Sequence, residues 1–211
     1  VGINYNSFSV WKKFGIFGIA LSIFIGILRI RKILSRGKYI AVMPRSTVPA
    51  FICNVATLGL NVKYIFDADG LAIDERVDFA GLSPKSFSYR IQRDIEFLAL
   101  NNADLIFVRT RRAKRILAAR GGANVTCDKF VVVSNSRNIE SFNVIKEQKV
   151  IDEQRHRLDL PIHVSLVIYV GSLGPQYCAN EMIYIFKKIR EREFNAKLVI
   201  LTGDQDYFVK A

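Results

Sequence analysis

The sequence has few of the residues that build disulfide frameworks and metal centres. Its 211 residues include three cysteines, Cys53, Cys127 and Cys178, and two histidines, and no CxxC pair occurs. Structural zinc sites need closely spaced Cys and His ligands, so the composition argues against one. An odd number of scattered cysteines favours reduced thiols. Half of the residues are apolar, which is enough for a core and argues against disorder.

Acidic residues are absent from the first third of the chain. Residues 1–66 carry nine Lys or Arg and no Asp or Glu, whereas the remainder carries 22 basic and 19 acidic residues. The formal net charge of +12 is therefore concentrated towards the amino terminus. Such an excess is either a solvated basic face or a contact surface for an anionic partner, a membrane or a nucleic acid.

No strongly apolar run is long enough to span a bilayer comfortably. Residues 14–28 carry no charge, but as a helix they would cover only about 22 Å of the roughly 30 Å hydrocarbon core. A basic cluster follows them: Arg29, Arg31, Lys32, Arg36 and Lys38. Three interpretations stay open, namely a buried helix of the first domain, an interfacial helix with a basic collar, and a spanning helix.

The chain does contain a repeated alternation of short apolar runs and helical segments. Strand-like runs lie at 39–43, 62–66, 105–108 and 129–133. The alternation restarts at 164–170, passes through a glycine turn at 171–174, and reaches a second run at 198–204. We therefore predict an α/β fold with a partial Rossmann-like domain at 1–140, a connection at 141–163, and the start of a second Rossmann-like domain at 164–211.

Ligands of parallel α/β sheets bind at the carboxyl ends of the strands. The residues that follow each predicted strand are therefore the candidates for a site. They are Arg45, Ser46, Asp67, Asp69, Arg109, Thr110, Ser134, Asn135, Gly171, Ser172, Gly174, Gly203 and Asp204, with Glu75 in the acidic segment after the second strand.

Several of these segments resemble the retaining GT-B glycosyltransferases of the group 1, family 4-like type. The resemblance rests on FDADGLAIDE at 66–75, the helix 86–101 with Glu96, and NADLIFVRT at 102–110. Pro44-Arg45-Ser46 fits the arginine-serine loop of some members, and KFVVVSNSRNIESF at 129–142 fits a later strand. YVGSLG at 169–174 and VILTGD at 199–204 resemble the first strand ends of the donor domain. The likeness covers roughly residues 38–211 and lies in the order and spacing of the motifs.

The resemblance implies a GT-B fold and transfer of a sugar, with retention, from a nucleotide-sugar to a glycan or lipid-linked acceptor in polysaccharide synthesis. It implies catalytic roles for Asp67 and Asp69, acceptor-side roles for Arg45, Ser46 and Glu75, and donor-binding roles for Gly171, Ser172, Gly174, Gly203 and Asp204. It implies neither a metal nor a cofactor besides the nucleotide diphosphate-sugar substrate. We expect the protein to be cytoplasmic, and peripheral binding to the inner face of the membrane is a further expectation.

The chain also departs from the family pattern. Ser172 and Tyr177 stand where an arginine and a lysine usually neutralise the departing diphosphate. The family's first glycine-rich loop and its late pair of glutamates have no counterpart in these residues. Because the sequence begins with Val and stops early in the second alternation, we expect it to be part of a longer enzyme and to be inactive alone.

Alternatives remain at this stage. Asp67-Ala68-Asp69 matches the D-x-D signature that holds a divalent metal and a sugar diphosphate in the GT-A fold, although an acidic loop is the commoner meaning of that pattern. A GT-B-fold nucleotide-sugar epimerase and a non-catalytic partner subunit also fit. The basic segment 109–120 carries no interleaved aromatic residues, so we predict no nucleic-acid binding.

Overall fold

The computed structural model describes Ser7, residues 14–135, Glu140, residues 147–161 and residues 163–203. Two compact units divide the chain, one of residues 1–135 and one of residues 136–211.

The first unit alternates helices and strands. Its helices are α1 (Gly15–Arg36), α2 (Thr47–Ala56), α3 (Ala72–Phe79), α4 (Phe87–Asn102) and α5 (Arg111–Gly121). Its strands are β1 (Ala41–Val42), β2 (Lys63–Asp67), β3 (Leu105–Val108) and β4 (Phe130–Val132), the last preceded by a short 3-10 turn at Cys127–Lys129.

These four strands form one parallel sheet in the order β1-β2-β3-β4. Asp67 pairs with Phe107 and Val108 with Val132, so the carboxyl ends of the strands lie together at one edge. A core of buried side chains joins the sheet to α2, α4 and α5, with Leu100, Ile106 and Leu117 among its most buried members. The predicted α/β class with parallel sheets is confirmed.

Helix α1 has one buried face and one exposed face. Gly18, Ser22 and Gly26 are buried where α1 packs against α2, and the Ser22 hydroxyl donates to the Gly18 carbonyl at 2.7 Å. The small residues allow this close approach, whereas Ile16 and Phe17 on the other face are 84% and 88% exposed. None of the described helices has the combination of length and apolar character that crossing a bilayer requires.

The basic cluster at the end of α1 does not act as one surface. The Arg31 guanidinium donates to the carbonyls of Ala56 at 3.2 Å and Leu58 at 2.7 Å. These carbonyls lie at the carboxyl end of α2, where helical oxygens have no partner of their own. Arg31 therefore stabilises the α1–α2 pair, and Lys32, Arg36 and Lys38 remain exposed.

The second unit contains α6 (Gln148–Arg157), β5 (Leu166–Val170), α7 (Ala179–Arg192) and β6 (Lys197–Leu201). The strands β5 and β6 pair in parallel over their full length, and a short 3-10 turn at Pro175–Tyr177 precedes α7. This is the strand, glycine turn, helix and strand that the alternation from residue 164 predicts.

Candidate functional site

The carboxyl ends of all four strands in the first unit are joined by side chains. Arg109, which follows β3, donates from Nη2 to both carboxylate oxygens of Asp67 at 3.1 Å and from Nε to Asp69 Oδ1 at 2.8 Å. Its Nη1 donates to the Val133 carbonyl, which follows β4, at 3.3 Å. Arg45, which follows β1, donates from Nε to Asp69 Oδ2 at 2.9 Å. We refer to Arg45, Asp67, Asp69 and Arg109 as the strand-end cluster.

Burial differs across the strand-end cluster. The Asp67 side chain is 9% exposed and that of Arg109 is 20% exposed, whereas that of Arg45 is 62% exposed. The two arginines and two aspartates sum to no net charge. Arg45 is therefore the most exposed of these cations and the first that a ligand in solution meets, whereas Asp67 is the least exposed of the four side chains.

The two arginines control the ionisation of Asp69. Burial raises the pKa of the Asp69 carboxyl, but hydrogen bonds and charge from Arg109 and Arg45 outweigh that effect and hold the pKa below its ordinary value. Asp69 is consequently a carboxylate at neutral pH and a weak base.

The backbone around the strand-end cluster is strained at two non-glycine residues. Ser46 has φ 68° with ψ 175°, and Asp69 has φ 22°. The Asp67 Oδ1 accepts from the Asp69 amide at 3.3 Å, which supports this tight turn. Such backbone conformations cost about 1–3 kcal/mol each and concentrate at functional sites. The strain is an independent observation that favours this edge of the sheet as a site.

Glu75 lies beside this turn. A Cβ added to Gly70 would approach Glu75 Oε1 to 2.9 Å, so the glycine leaves room for this carboxylate. Glu75 is in the first turn of α3, where a negative charge complements the helix N-terminus. Glu75 therefore has a structural role at the start of α3, and its position beside the turn is also compatible with the expected acceptor-side role.

A second ionic cluster, which the sequence did not reveal, joins α3, α4 and α5. Arg93 donates to Asp74 at 3.0 Å and to Glu96 at 2.9 Å, and Arg120 donates to both oxygens of Asp74 at 2.7 and 2.8 Å. Burial raises the pKa of Glu96, and Arg93 offsets this only in part. Burial also raises the pKa of Asp74, but Arg120 and Arg93 outweigh it and lower that pKa. A cavity of 410 Å³ opens beside this cluster.

In the second unit, the predicted donor residues follow β5 and β6. The Gly171 amide donates to the Leu201 carbonyl at 3.0 Å, and the Tyr169 hydroxyl donates to the Ser172 carbonyl at 2.6 Å, so the turn is fixed against the strands. Leu173 is fully buried beneath it. Gly203 follows β6, and Asp204 lies outside the described residues. Gly171, Ser172 and Gly174 therefore share one loop.

Among the described residues, no three His, Cys, Asp or Glu side chains come close enough to hold a metal ion. The D-x-D aspartates instead face arginines. The residue that sequence reasoning undervalued is Arg109, which was one of the strand-end positions but received no role. The available signal was that it follows β3 as Asp67 ends β2.

No protein-family model and no curated protein matches the sequence. Solved structures do match the fold. A glycosyltransferase from Rickettsia africae ESF-5 aligns with a TM-score of 0.54 at 16% identity, over 98% of this chain and 55% of that chain. A UDP-GlcNAc 2-epimerase from Neisseria meningitidis, solved with UDP-GlcNAc bound, aligns with a TM-score of 0.52 at 13% identity, over 92% of this chain and 50% of its own.

Sucrose-phosphate synthase from Thermosynechococcus elongatus aligns with a TM-score of 0.51 at 12% identity, over 86% of this chain and 50% of its own. The chain thus spans about half the length of these structures. At these identities the likeness establishes the fold, a partial GT-B-like arrangement of Rossmann-like α/β elements.

Proposed function

We propose that the protein is a nucleotide-sugar enzyme of the GT-B fold. Within that class, we propose a glycosyltransferase that moves a sugar from a nucleoside diphosphate donor to a glycan or lipid-linked acceptor in polysaccharide synthesis. The observation that carries the proposal is the strand-end cluster, a strained and charged group at the edge where parallel sheets bind ligands. The resemblance of the same segment to glycosyltransferases supports it.

The chemistry requires an oriented acceptor. The acceptor hydroxyl oxygen forms a bond to the anomeric carbon, the bond from that carbon to the diphosphate oxygen breaks, and the hydroxyl proton passes to the departing diphosphate. Asp69 has a lowered pKa, so it is poorly suited to take that proton. Its role in the proposal is to accept a hydrogen bond from the hydroxyl and orient it, while Asp67 holds Arg109 in place. Retention of configuration is carried over from the resemblance.

On the donor side, we assign the loop after β5 to the sugar diphosphate. Glycines at 171 and 174 allow the backbone to approach phosphate closely. Ser172 supplies a hydroxyl where relatives of this type carry an arginine, so the loop brings less positive charge. Glu181 in the first turn of α7 already complements that helix N-terminus. Additional cationic groups for the diphosphate must therefore come from another segment.

An epimerase is the second candidate. The Neisseria meningitidis UDP-GlcNAc 2-epimerase structure aligns nearly as well as the glycosyltransferase structure. The non-catalytic partner subunit is the third, because a fold alone does not require turnover.

One assay separates the three candidates. The complete protein is incubated with a panel of nucleotide-sugars, with and without glycan or lipid-linked acceptors, and the products are followed by NMR and chromatography. A transferase releases nucleoside diphosphate only when an acceptor is present. An epimerase produces a second nucleotide-sugar without acceptor. If neither product forms while the nucleotide-sugar still binds, the partner-subunit candidate replaces both enzymes.

We also propose that the enzyme works against an anionic membrane surface. Several large apolar side chains of α1 and of its N-cap residue, Phe14, are more than two-fifths exposed: Phe14, Ile16, Phe17, Ile19, Leu21, Phe24 and Leu28. Exposed cations follow them at Lys32, Arg36 and Lys38. An apolar face flanked by cations is the pattern of an interfacial helix on anionic lipid.

A further inference from the structure

A cavity of 560 Å³ lies between the first turns of α5 and the strand β4. Its lining residues are Arg111, Lys114, Arg115, Cys127 and Val132. Val132 and Phe130 point to the same face of β4, because side chains alternate along a strand. Phe130 is buried in the core, so this face of β4 is the one that packs under α5. The cavity therefore has an apolar wall and a rim of three cations.

Within the described part of the chain, the three cations have no acidic partner. The acids nearby in the sheet and helices pair with other arginines: Asp74 and Glu96 with Arg120, and Asp67 and Asp69 with Arg109. Arg111, Lys114 and Arg115 thus carry an uncompensated positive charge around one concave surface.

One of the three cations, Arg111, also lies at an unfavourable position on the helix. The N-terminus of a helix carries a partial positive charge, and acids are normally placed there. The first turn of α5 contains no acid and begins with Arg111 and Arg112. The Thr110 hydroxyl caps only the Ala113 amide, at 3.0 Å. A helix N-terminus that has cations and no acidic residue is expected where a bound anion supplies the missing negative charge.

We propose that this cavity binds the phosphate or diphosphate group of a small organic ligand. The cations of Arg111, Lys114 and Arg115 would donate charge-assisted hydrogen bonds to the phosphate oxygens. Cys127 lines the same cavity as the three cations, so a bound phosphate group would cover its thiol, and Val132 would contact the carbon part of the ligand. The volume is in the range of small-molecule sites. This site is separate from the strand-end cluster, because Arg109 is held by Asp67 and Asp69 and does not line the cavity.

Two sources fit the same chemistry: the diphosphate of a nucleotide, or a phosphate carried by the acceptor. The proposal does not depend on the reaction class, since it concerns binding alone. A failed turnover assay would therefore leave it standing, and its own failure would leave the proposed reaction unaffected.

The test measures binding of inorganic pyrophosphate to the complete protein by calorimetry. We expect Arg111→Gln, Lys114→Gln and Arg115→Gln each to weaken binding by about fivefold or more. Arg112→Gln is the matched control, because it removes the same charge from the same exposed helix turn but does not line the cavity. Its effect should stay below about twofold. No pyrophosphate binding, or an equal loss in Arg112→Gln, would overturn the proposal.

Cys127 provides a second readout. Cys127 and Cys178 are exposed and Cys53 is buried, with burial raising the pKa of the Cys53 thiol to about 11. Pyrophosphate should slow alkylation of Cys127 by iodoacetamide and leave Cys178 unchanged, as read by peptide mass spectrometry. Equal rates at Cys127 with and without pyrophosphate would contradict a ligand in this cavity.

Competition then identifies the source. Displacement of pyrophosphate by uridine diphosphate assigns the site to a nucleotide, and displacement by farnesyl phosphate assigns it to a lipid-like phosphate. If neither compound displaces pyrophosphate, the proposal that the cavity binds a small organic phosphate is wrong. If single-stranded RNA binds more tightly than pyrophosphate and Arg112→Gln reduces that binding as strongly as the lining variants, the surface is a nucleic-acid contact and the small-ligand site is rejected.

Discussion

Asp67 and Asp69 differ in what each can contribute, although they are two residues apart. Asp67 is buried under Arg109, whereas Asp69 bridges two arginines nearer the surface. Removing one partner of a buried charge pair lowers the stability of the protein strongly, because the other charge stays buried without a compensating charge. The two positions should therefore separate stability from activity.

Asp67→Asn should lower the free energy of unfolding by about 1–3 kcal/mol, because the largely buried Arg109 loses a charged acceptor. Asp69→Asn should cost less stability and should lower kcat by about tenfold or more, since the acceptor loses its orienting group. Urea denaturation and steady-state kinetics measure the two effects. Glu191→Gln is the control, because its pair with Lys188 is exposed and should contribute under about 1 kcal/mol.

The same proteins decide the metal question. A chelator such as EDTA should leave activity intact, because the guanidinium groups of Arg45 and Arg109 rather than a metal ion balance the D-x-D carboxylates. Activity that requires Mn²⁺ and disappears in Asp69→Asn would contradict this and restore the GT-A interpretation of the motif.

Ser46 gives a prediction in the opposite direction. Its φ of 68° with ψ of 175° is a conformation that glycine adopts easily. Ser46→Gly should therefore raise the free energy of unfolding by about 1 kcal/mol, because the relief of backbone strain exceeds the extra conformational entropy that glycine loses on folding. Ser46→Ala keeps the strain and removes only the hydroxyl, so it should not stabilise. Equal unfolding midpoints for the glycine and alanine variants would refute the strain.

The strand-end residues were predictable from the sequence because each follows an apolar run. Their pairing was not, because it depends on register. Asp67 of β2 lies opposite Phe107 of the neighbouring strand β3. Arg109 follows Phe107 by two residues as Asp69 follows Asp67, so the same register brings Arg109 and Asp69 together. A shift of one residue would turn these side chains to opposite faces. No local pattern in the sequence specifies that register, so the role of Arg109 emerged only from the fold.

At the scale of elements, α3 is a helix that the sequence analysis did not predict. Residues 72–79 have a weak apolar pattern, and only Ile73 is buried. The helix is held instead by Asp74, which pairs with Arg93 of α4 and Arg120 of α5. Both partners lie far along the chain, so sequence periodicity could not show them. The predicted helix at 86–101, with its strong apolar spacing, corresponds closely to α4.

The α3–α4–α5 contact should depend on pH through Asp74. Its pKa is lowered in the folded state, so its contribution to stability is present above the unfolded-state pKa of about 3.9 and is lost as pH falls through the lowered folded pKa. Asp74→Asn should therefore destabilise by about 1–2 kcal/mol at pH 7 and by little near pH 2. Denaturant titrations at several pH values measure this difference.

Glu96 in the same cluster acts with the opposite sign. Its raised pKa gives a contribution that is present below the unfolded-state pKa and is lost as pH rises through the folded one. The charge of Asp74 also helps to raise the pKa of Glu96, so Asp74→Asn weakens this opposing contribution as well. Asp94→Asn, an exposed acid of α4 outside the ion pairs, is the matched control. A destabilisation by Asp74→Asn that is the same at pH 7 and pH 2 would contradict the ionic role.

At the scale of the whole molecule, charge and apolar surface are unevenly distributed. The basic excess of residues 1–66 includes a cluster at the carboxyl end of α1, next to its exposed apolar side chains, and the remainder of the chain is nearly balanced. The alternation of apolar runs predicted the strands because it depends on local composition. The helix α1 continued through basic residues to Arg36, beyond the apolar run that ended at residue 28, because Arg31 contacts α2.

Vesicle co-sedimentation tests the membrane surface. Replacing Lys32, Arg36 and Lys38 by Gln should reduce binding to anionic vesicles on the order of a hundredfold at low salt, at about 1 kcal/mol per cation. The matched control replaces Lys187, Arg190 and Arg192 of α7, which removes the same charge elsewhere. Phe17→Ser should weaken binding to neutral and anionic vesicles alike. Salt-independent binding of wild type, equal for both lipids, would contradict the electrostatic part.

The strand order of the first unit also bears on synthesis at the ribosome. Each strand of the β1-β2-β3-β4 sheet pairs with the strand made just before it. An emerging chain can therefore add these four strands in turn at one growing edge. Arg109 leaves the ribosome after both aspartates and before Val133. Its bonds to the two aspartates can therefore form once β3 has paired with β2. Its bond to the Val133 carbonyl forms last, after β4 has joined the sheet.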